Sequence, residues 1–286
     1  MKTQRFLYFI LLSFLIFSLT ACSKAQNGAV KNKAVIAVSI VPQSTFVKEV
    51  CGDKFEVLTM IPAGASPETY EPTPQDIAKL ETAEIYFSIG VPAEDNILSS
   101  LSQTTVLSQL HTNVSKVYPD ITEENGRDPH IWLSPKRVSV MINSIAKELS
   151  EHDPENKDFY KTNAEKYIEK LLSLDKEITE ILKDKTEREF LAFHPAFGYF
   201  AKDYSLTMYS LEEHGKEATA KHIAEMSDLA KQKGIKTIFY QAETSGRQAK
   251  AFAEEIDGKA VALEPLSADY IKNLKKMAQQ ISEAIS

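Results

Sequence analysis

Two hydrophobic patterns divide the chain. Residues 6–19 form an apolar run interrupted only by Ser13 and Ser18. From residue 34 onward, apolar runs of strand length alternate with amphipathic stretches. The segments 34–41 (AVIAVSIV), 55–61 (FEVLTMI) and 84–89 (EIYFSI) read as strands, with an amphipathic stretch around 43–51 closed by Gly52. Thr73-Pro74 offers a capping residue before a proline at a first helical turn. Beyond residue 188 the alternation resumes, with strands at 190–193, 206–210, 236–240 and 260–263. Helices near 196–203, 218–233, 246–256 and 268–284 interleave with them. Such alternation predicts an α/β fold with mainly parallel sheets.

Between the two halves lie two helical segments opened by Ser134-Pro135 and Asp153-Pro154. In the second, Tyr160, Ala164, Tyr167, Leu171, Leu174, Ile178 and Ile181 step by fours and threes, which places one apolar stripe along a helix over 154–184. At ~1.5 Å per residue this rod runs the height of a domain. A coiled-coil arm is the alternative, but the repeat lasts only about three to four heptads. The pattern therefore predicts two α/β lobes, 34–152 and 187–286, joined by one long rigid helix within 153–186.

The N-terminal run carries Lys2 and Arg5 ahead of it and no acid, and is shorter than the ~20 residues needed to span a bilayer. It ends in Leu19-Thr20-Ala21-Cys22, which resembles a bacterial lipobox. The expectation is a signal peptide over 1–21, a lipid-modified Cys22 and a polar tether over 22–33. The other cysteine, Cys51, then has no partner for an intramolecular disulfide.

Of the 286 residues 43% are hydrophobic, enough for a packed core, and the net charge is −7. Removing residues 1–21 takes away two positive side chains and leaves −9. A chain so acidic offers no field to a phosphate backbone, which argues against nucleic acid and for a cationic ligand.

No P-loop, dinucleotide fingerprint, nucleophile elbow, zincin helix or CxxC pair occurs. Four polar segments stand out instead near predicted strand ends, where open α/β sheets bind ligands. Residues 62–74 form a proline-laden loop carrying Glu68 and Glu71. Residues 128–135 (DPHIWLSP) set His130 beside the only tryptophan, and residues 193–200 (FHPAFGYF) place His194 between a strand and a helix. Glu264 follows the last strand. Each alone is compatible with a solvated loop or a satisfied core histidine. Together they supply two imidazoles and two carboxylates, the donors a divalent metal site requires. His111, His152, His214 and His222 lie in polar or helix-edge contexts and read as surface residues.

At these segments the chain resembles the metal-binding lipoproteins of bacterial ABC importers for zinc and manganese, the cluster A-I solute-binding proteins. The likeness takes in GASPETYEPTPQD, DPHIWLSP, the long central helix, FHPAFGYF, and the stretch from IFYQAETSGRQAKAFAEEI into ALEPLSADY. The resemblance implies two lobes with a metal buried between them, only modest lobe movement on release, and no enzymatic activity. Its implied ligands are Glu68, His130, His194 and Glu264. Glu68 stands where many members have His, and Glu264 where many have Asp, so Glu71 or water is an alternative donor. The His-rich acidic loop of some zinc-specific members is missing. Imidazole at His194 favours Zn²⁺, and the added carboxylates suit Mn²⁺. The implied partners are a divalent metal ion, an ABC permease with its ATPase, and the membrane through the lipid anchor, for a monomer outside the cytoplasm. Protonation of the imidazoles below about pH 6.5 is expected to weaken binding. The rival classes are a metal-dependent hydrolase and a surface adhesin.

Overall fold

A computed structural model describes residues 33–123, 126–212 and 218–285. The expected signal peptide, Cys22 and the tether as far as residue 32 lie outside these residues, as does His214.

The first lobe is built on a four-stranded parallel sheet: β1 (Val35–Val38), β2 (Glu56–Thr59), β3 (Ala83–Ser88) and β4 (Val106–Gln109), in the order β2-β1-β3-β4. The central strands are continuous apolar runs because both their faces are covered; Ile36, Ala37, Val38, Ile85, Tyr86 and Phe87 are fully buried. Helix α1 (Val41–Cys51) crosses from β1 to β2, and α2 (Pro74–Leu80) from β2 to β3. Helix α3 (Glu94–Leu98) lies between β3 and β4, and α4 (Leu110–Ser115) follows β4. Strand β4 eludes the sequence pattern because it is a short edge strand with Val106 and Leu107 exposed. A two-residue antiparallel ladder, β5 (Thr122–Glu123) with β6 (Gly126–Arg127), leads into the DPHIWLSP segment.

The second lobe repeats the plan with β7 (Glu189–Ala192), β8 (Thr207–Ser210), β9 (Thr237–Gln241) and β10 (Lys259–Leu263), all parallel in the order β10-β9-β7-β8. Its helices are α7 (Gly198–Asp203), α8 (Ala220–Lys233), α9 (Arg247–Glu255) and α10 (Tyr270–Ala284). Numbered within its own lobe, each sheet runs 2-1-3-4, so each has a switch point between its first and third strands.

Helix α5 (Pro135–His152) begins at Ser134, whose hydroxyl accepts the Arg137 N–H at 3.2 Å. The long helix α6 spans Lys157–Leu182 after a 3-10 turn at Pro154–Asn156. Asp153 fastens this entry by accepting from Tyr160 Oη at 2.6 Å and Asn156 Nδ2 at 2.7 Å. The predicted stripe is buried from Tyr160 to Ile178, and Leu182 takes the last buried position in place of Ile181. Helices α1, α5 and α10 of the same chain pack on α6, so its apolar face has intramolecular partners.

One hydrophobic cluster runs from β1 and β3 through α5, α6 and α10 to Phe190, Phe197, Phe200 and Tyr204. A smaller one, including Leu191, Ala230, Ile238 and Phe252, fills the space between the second sheet and helices α8 and α9. Because the larger core includes side chains of both lobes, the two sheets are held on one continuous apolar support.

Candidate metal centre

Glu68 sits on a loop stiffened from within. Ala65 N–H donates to Pro62 O at 3.1 Å, Tyr70 N–H to Ser66 O at 3.0 Å and Glu68 N–H to Ser66 Oγ at 3.3 Å. The Ala93 N–H reaches across to Pro67 O at 3.0 Å, and Thr73 and Asp76 cap α2 reciprocally just downstream. The carboxylate is thereby aimed by turns and prolines rather than by a regular element.

His130 follows the β5–β6 hairpin. Asp128 Oδ1 accepts both the His130 backbone N–H at 2.8 Å and the ring Nδ1 at 2.7 Å. A carboxylate on Nδ1 selects the tautomer with its proton there and leaves the Nε2 lone pair for a metal. His194 follows β7, where the main chain is held by Phe193 N–H to Phe239 O at 2.7 Å and Glu212 N–H to Phe193 O at 2.9 Å. Glu212 Oε2 lies 2.6 Å from His194 Nδ1, the same arrangement supplied by the segment after β8. Both imidazoles therefore present Nε2 inward.

These three residues converge. Glu68 Oε1 is 2.6 Å from His194 Nε2 and 3.6 Å from His130 Nε2, and the two Nε2 atoms are 3.4 Å apart. One donor atom from each lies within 4.8 Å of the others. Both histidines are buried, whereas the Glu68 side chain keeps 29% of its surface exposed and marks the solvent side.

The three groups shift one another away from their ordinary protonation ranges. Burial alone pushes the Glu68 carboxyl up, but hydrogen bonds and charge from both imidazoles outweigh it and hold the group at about 2. For His194 burial pushes down, and the Glu212 and Glu68 carboxylates reverse this, raising it to about 9. His130 is raised as well: Asp128 and Glu68 overcome its complete burial. A dication entering here meets the Glu68 carboxylate already ionised and must displace the proton on His194.

Glu264 does not join the cluster. It lies at the end of β10, but its side chain is 52% exposed and its Oε1 lies 3.8 Å from Lys276 Nζ. Glu71, the alternative donor, is exposed too. Three of the four segments follow parallel strands, while His130 emerges from an antiparallel hairpin. Among the remaining histidines, His152 is exposed and pairs with Glu84 at 2.7 Å. His222 and His111 are half-buried rather than on the surface: His222 Nε2 meets the Ser210 carbonyl at 3.0 Å, and burial lowers the His111 imidazole.

Glu212 is the functional residue that sequence reasoning missed. Its signal was an acid immediately beyond a strand, the rule that singled out Glu264, hidden in the acidic run Glu212-Glu213.

Known proteins resemble this chain over most of its length. The chain is 31% identical to the zinc-binding protein AdcA of Streptococcus pyogenes serotype M1 over 301 aligned residues, covering 96% of this chain but only 58% of that protein. The chain thus spans little more than half the length of the AdcA relatives it matches. It is 28% identical to the high-affinity zinc uptake system protein ZnuA of Bacillus subtilis, covering 91% of this chain and 88% of that one. A crystal structure of ZnuA superposes with a TM-score of 0.83 at 36% identity, over 88% of this chain and 99% of that one. The family model for the zinc-uptake complex component A, periplasmic, matches residues 36–284, and this chain belongs to that ZnuA family.

Proposed function

We propose that this chain is the extracytoplasmic metal-binding component of an ABC importer, capturing Zn²⁺ between its lobes and passing it to a membrane permease energised by an ATPase. The reading rests on one observation: Glu68, His130 and His194, far apart in sequence, bring one carboxylate oxygen and two Nε2 atoms together. Two imidazoles and one carboxylate are a zinc donor set. Asp128 and Glu212 support it by orienting the rings and raising their basicity, and a solvent molecule or Glu264 completes the shell. Mn²⁺ is the alternative cargo. Since Zn²⁺ outcompetes Mn²⁺ at nearly any such site, the discriminating quantity is the ratio of affinities rather than binding itself.

Capture proceeds as proton exchange. The ion takes the place of the proton on His194, Glu68 contributes the negative charge, and the Nδ1 hydrogen bonds keep both rings aimed as the ion settles. No covalent step is assigned to this chain. A hydrolase would need a free general base beside the bound water, yet Asp128 and Glu212 are both engaged on imidazole Nδ1 atoms. An adhesin role would use a surface independent of the ion. We further propose that Cys22 carries a lipid anchor, with residues 23–33 as its tether, and that the protein works as a monomer at the outer face of the cell membrane. Among the described residues no helix is long and apolar enough to cross a membrane.

The test is metal competition on stripped protein. Zn²⁺ and Mn²⁺ affinities are measured for the native chain and for Glu68→Ala, His130→Ala, His194→Ala and Glu264→Ala. Either histidine variant should lose zinc affinity by orders of magnitude, and Glu264→Ala should lose the least. Full affinity in both histidine variants would overturn the assignment.

A further inference from the structure

The segment carrying His130 belongs by sequence to the first half of the chain, yet side chains of the second lobe fasten it. The Tyr199 hydroxyl, on α7 of the second lobe, donates to the Asp128 carbonyl at 3.1 Å and accepts the Ile121 N–H at 3.1 Å. Gly198, one residue earlier, packs so closely that a Cβ there would lie 2.8 Å from Asp128 Oδ2. The other oxygen of that carboxylate is already committed to His130. Asp128 therefore could not yield to a side chain at position 198 without releasing the imidazole.

Tyr199 is itself immobilised. It is fully buried, and the Arg137 guanidinium lies 4.4 Å from the centre of its ring. Arg137, also buried, is held by Asp203 of α7 at 2.9 Å and by the Pro119 carbonyl at 3.3 Å. Beyond His130 the same segment is fastened again. Trp132 Nε1–H donates to the Pro265 carbonyl at 3.0 Å, and Tyr270 Oη donates to the Trp132 carbonyl at 2.8 Å. His130 thus sits between two attachments, and both lead to the lobe that carries His194.

We infer that Gly198 and Tyr199 are positioning residues for the metal site: they seat Asp128, and through it His130, on the second lobe, so that the two imidazoles form one preset pair. Glu68, on its own self-stiffened loop, is the donor that closes over this pair. The inference rests on the ligand set proposed above. It assigns to α7 a task distinct from filling the core, because the Tyr199 hydroxyl and the missing Gly198 side chain both act on Asp128.

The test uses Tyr199→Phe and Gly198→Ala in the mature chain, with Tyr160→Phe as a control that removes a buried tyrosine hydroxyl bonded to Asp153, remote from the site. Zinc affinity is read by chelator competition, coordination by the d–d absorption of the Co²⁺-substituted protein, and fold by thermal unfolding without metal. Residues that orient a metal's histidine ligands typically change affinity 10- to 100-fold. We expect about a tenfold loss in both site variants and an altered Co²⁺ spectrum. Tyr160→Phe should keep the native spectrum and affinity even where its unfolding temperature falls as far. Native Co²⁺ spectra and zinc affinities in both Tyr199→Phe and Gly198→Ala would overturn the inference. His130→Ala separates this from failure of the ligand assignment: if it binds zinc normally the ligand set is wrong and the inference falls with it. If it loses zinc while the two α7 variants do not, only the positioning role fails.

Discussion

At the scale of single residues, Glu68 and His194 shift each other in opposite directions. His194 is held at about 9 and Glu68 at about 2, so at neutral pH the metal-free pair is imidazolium and carboxylate. This moves the pH threshold from its sequence-based position. An ordinary histidine competes with metal only below about pH 6.5, whereas here His194 retains its proton until the solution approaches pH 9. Apparent zinc affinity should therefore keep rising through neutrality toward pH 9, by up to about tenfold per pH unit for each proton displaced. Titrations in buffers of different ionisation enthalpy should register proton release at pH 7.5. Metal-free stability follows the opposite course for His194: its raised value contributes stability in full below its unfolded value and loses it as pH climbs through about 9. Glu68, depressed, contributes above its unfolded value and ceases to as pH falls through about 2. Replacing Glu212 by Gln removes the charge beside His194 Nδ1. Zinc affinity should fall 10- to 100-fold, with a smaller pH slope between 7 and 9.

At the scale of elements, the alternation of apolar and polar positions located most strands and helices because each is a continuous run or a regular stripe. The pattern failed at β4, whose few residues are partly exposed, and at the β5–β6 hairpin, where two-residue strands leave no periodicity to detect. His130 stands out in the sequence because prolines bracket its segment, and His194 because it lies between a strand and a helix just ahead of Pro195. Glu264 stands outside the group of Glu68, His130 and His194, and an acid at a strand end does not reveal in the sequence which way its side chain turns. Glu212 was missed because its role depends on β8 lying beside β7, a pairing that local sequence does not encode. The same holds for Arg137 and Asp203, which join α5 to α7 as a buried ion pair with side chains only 2% and 10% exposed. Removing one partner of such a pair leaves an uncompensated charge, so Asp203→Ala should destabilise the fold by about 3–5 kcal/mol in urea unfolding. Pairing Asp203→Ala with Arg137→Met should recover much of that loss. A double variant as unstable as the sum of the singles would show that the two do not act together. In α6, Leu171→Ala should cost about 2–5 kcal/mol, since its side chain is fully enclosed by the same chain.

At the scale of the whole molecule, two sheets of the same strand order stand on one apolar support that includes α6 and residues of both lobes. Wide opening about a free hinge would have to break that core, so release is expected through small displacements. In solution scattering, the metal-free and zinc-loaded proteins should differ in radius of gyration by no more than about 1 Å, against roughly 19 Å expected for a compact chain of this size. A coiled-coil role for α6 would predict dimers, and sedimentation should instead show a monomer. In the proposed site, one ion joins segments that the chain keeps far apart. Anomalous diffraction at the zinc edge from crystals of the loaded protein tests this most directly. The predicted result is a single strong peak about 2.0–2.2 Å from Glu68 Oε1, His130 Nε2 and His194 Nε2. A peak elsewhere, or one coordinated by only one of the two histidines, would contradict it.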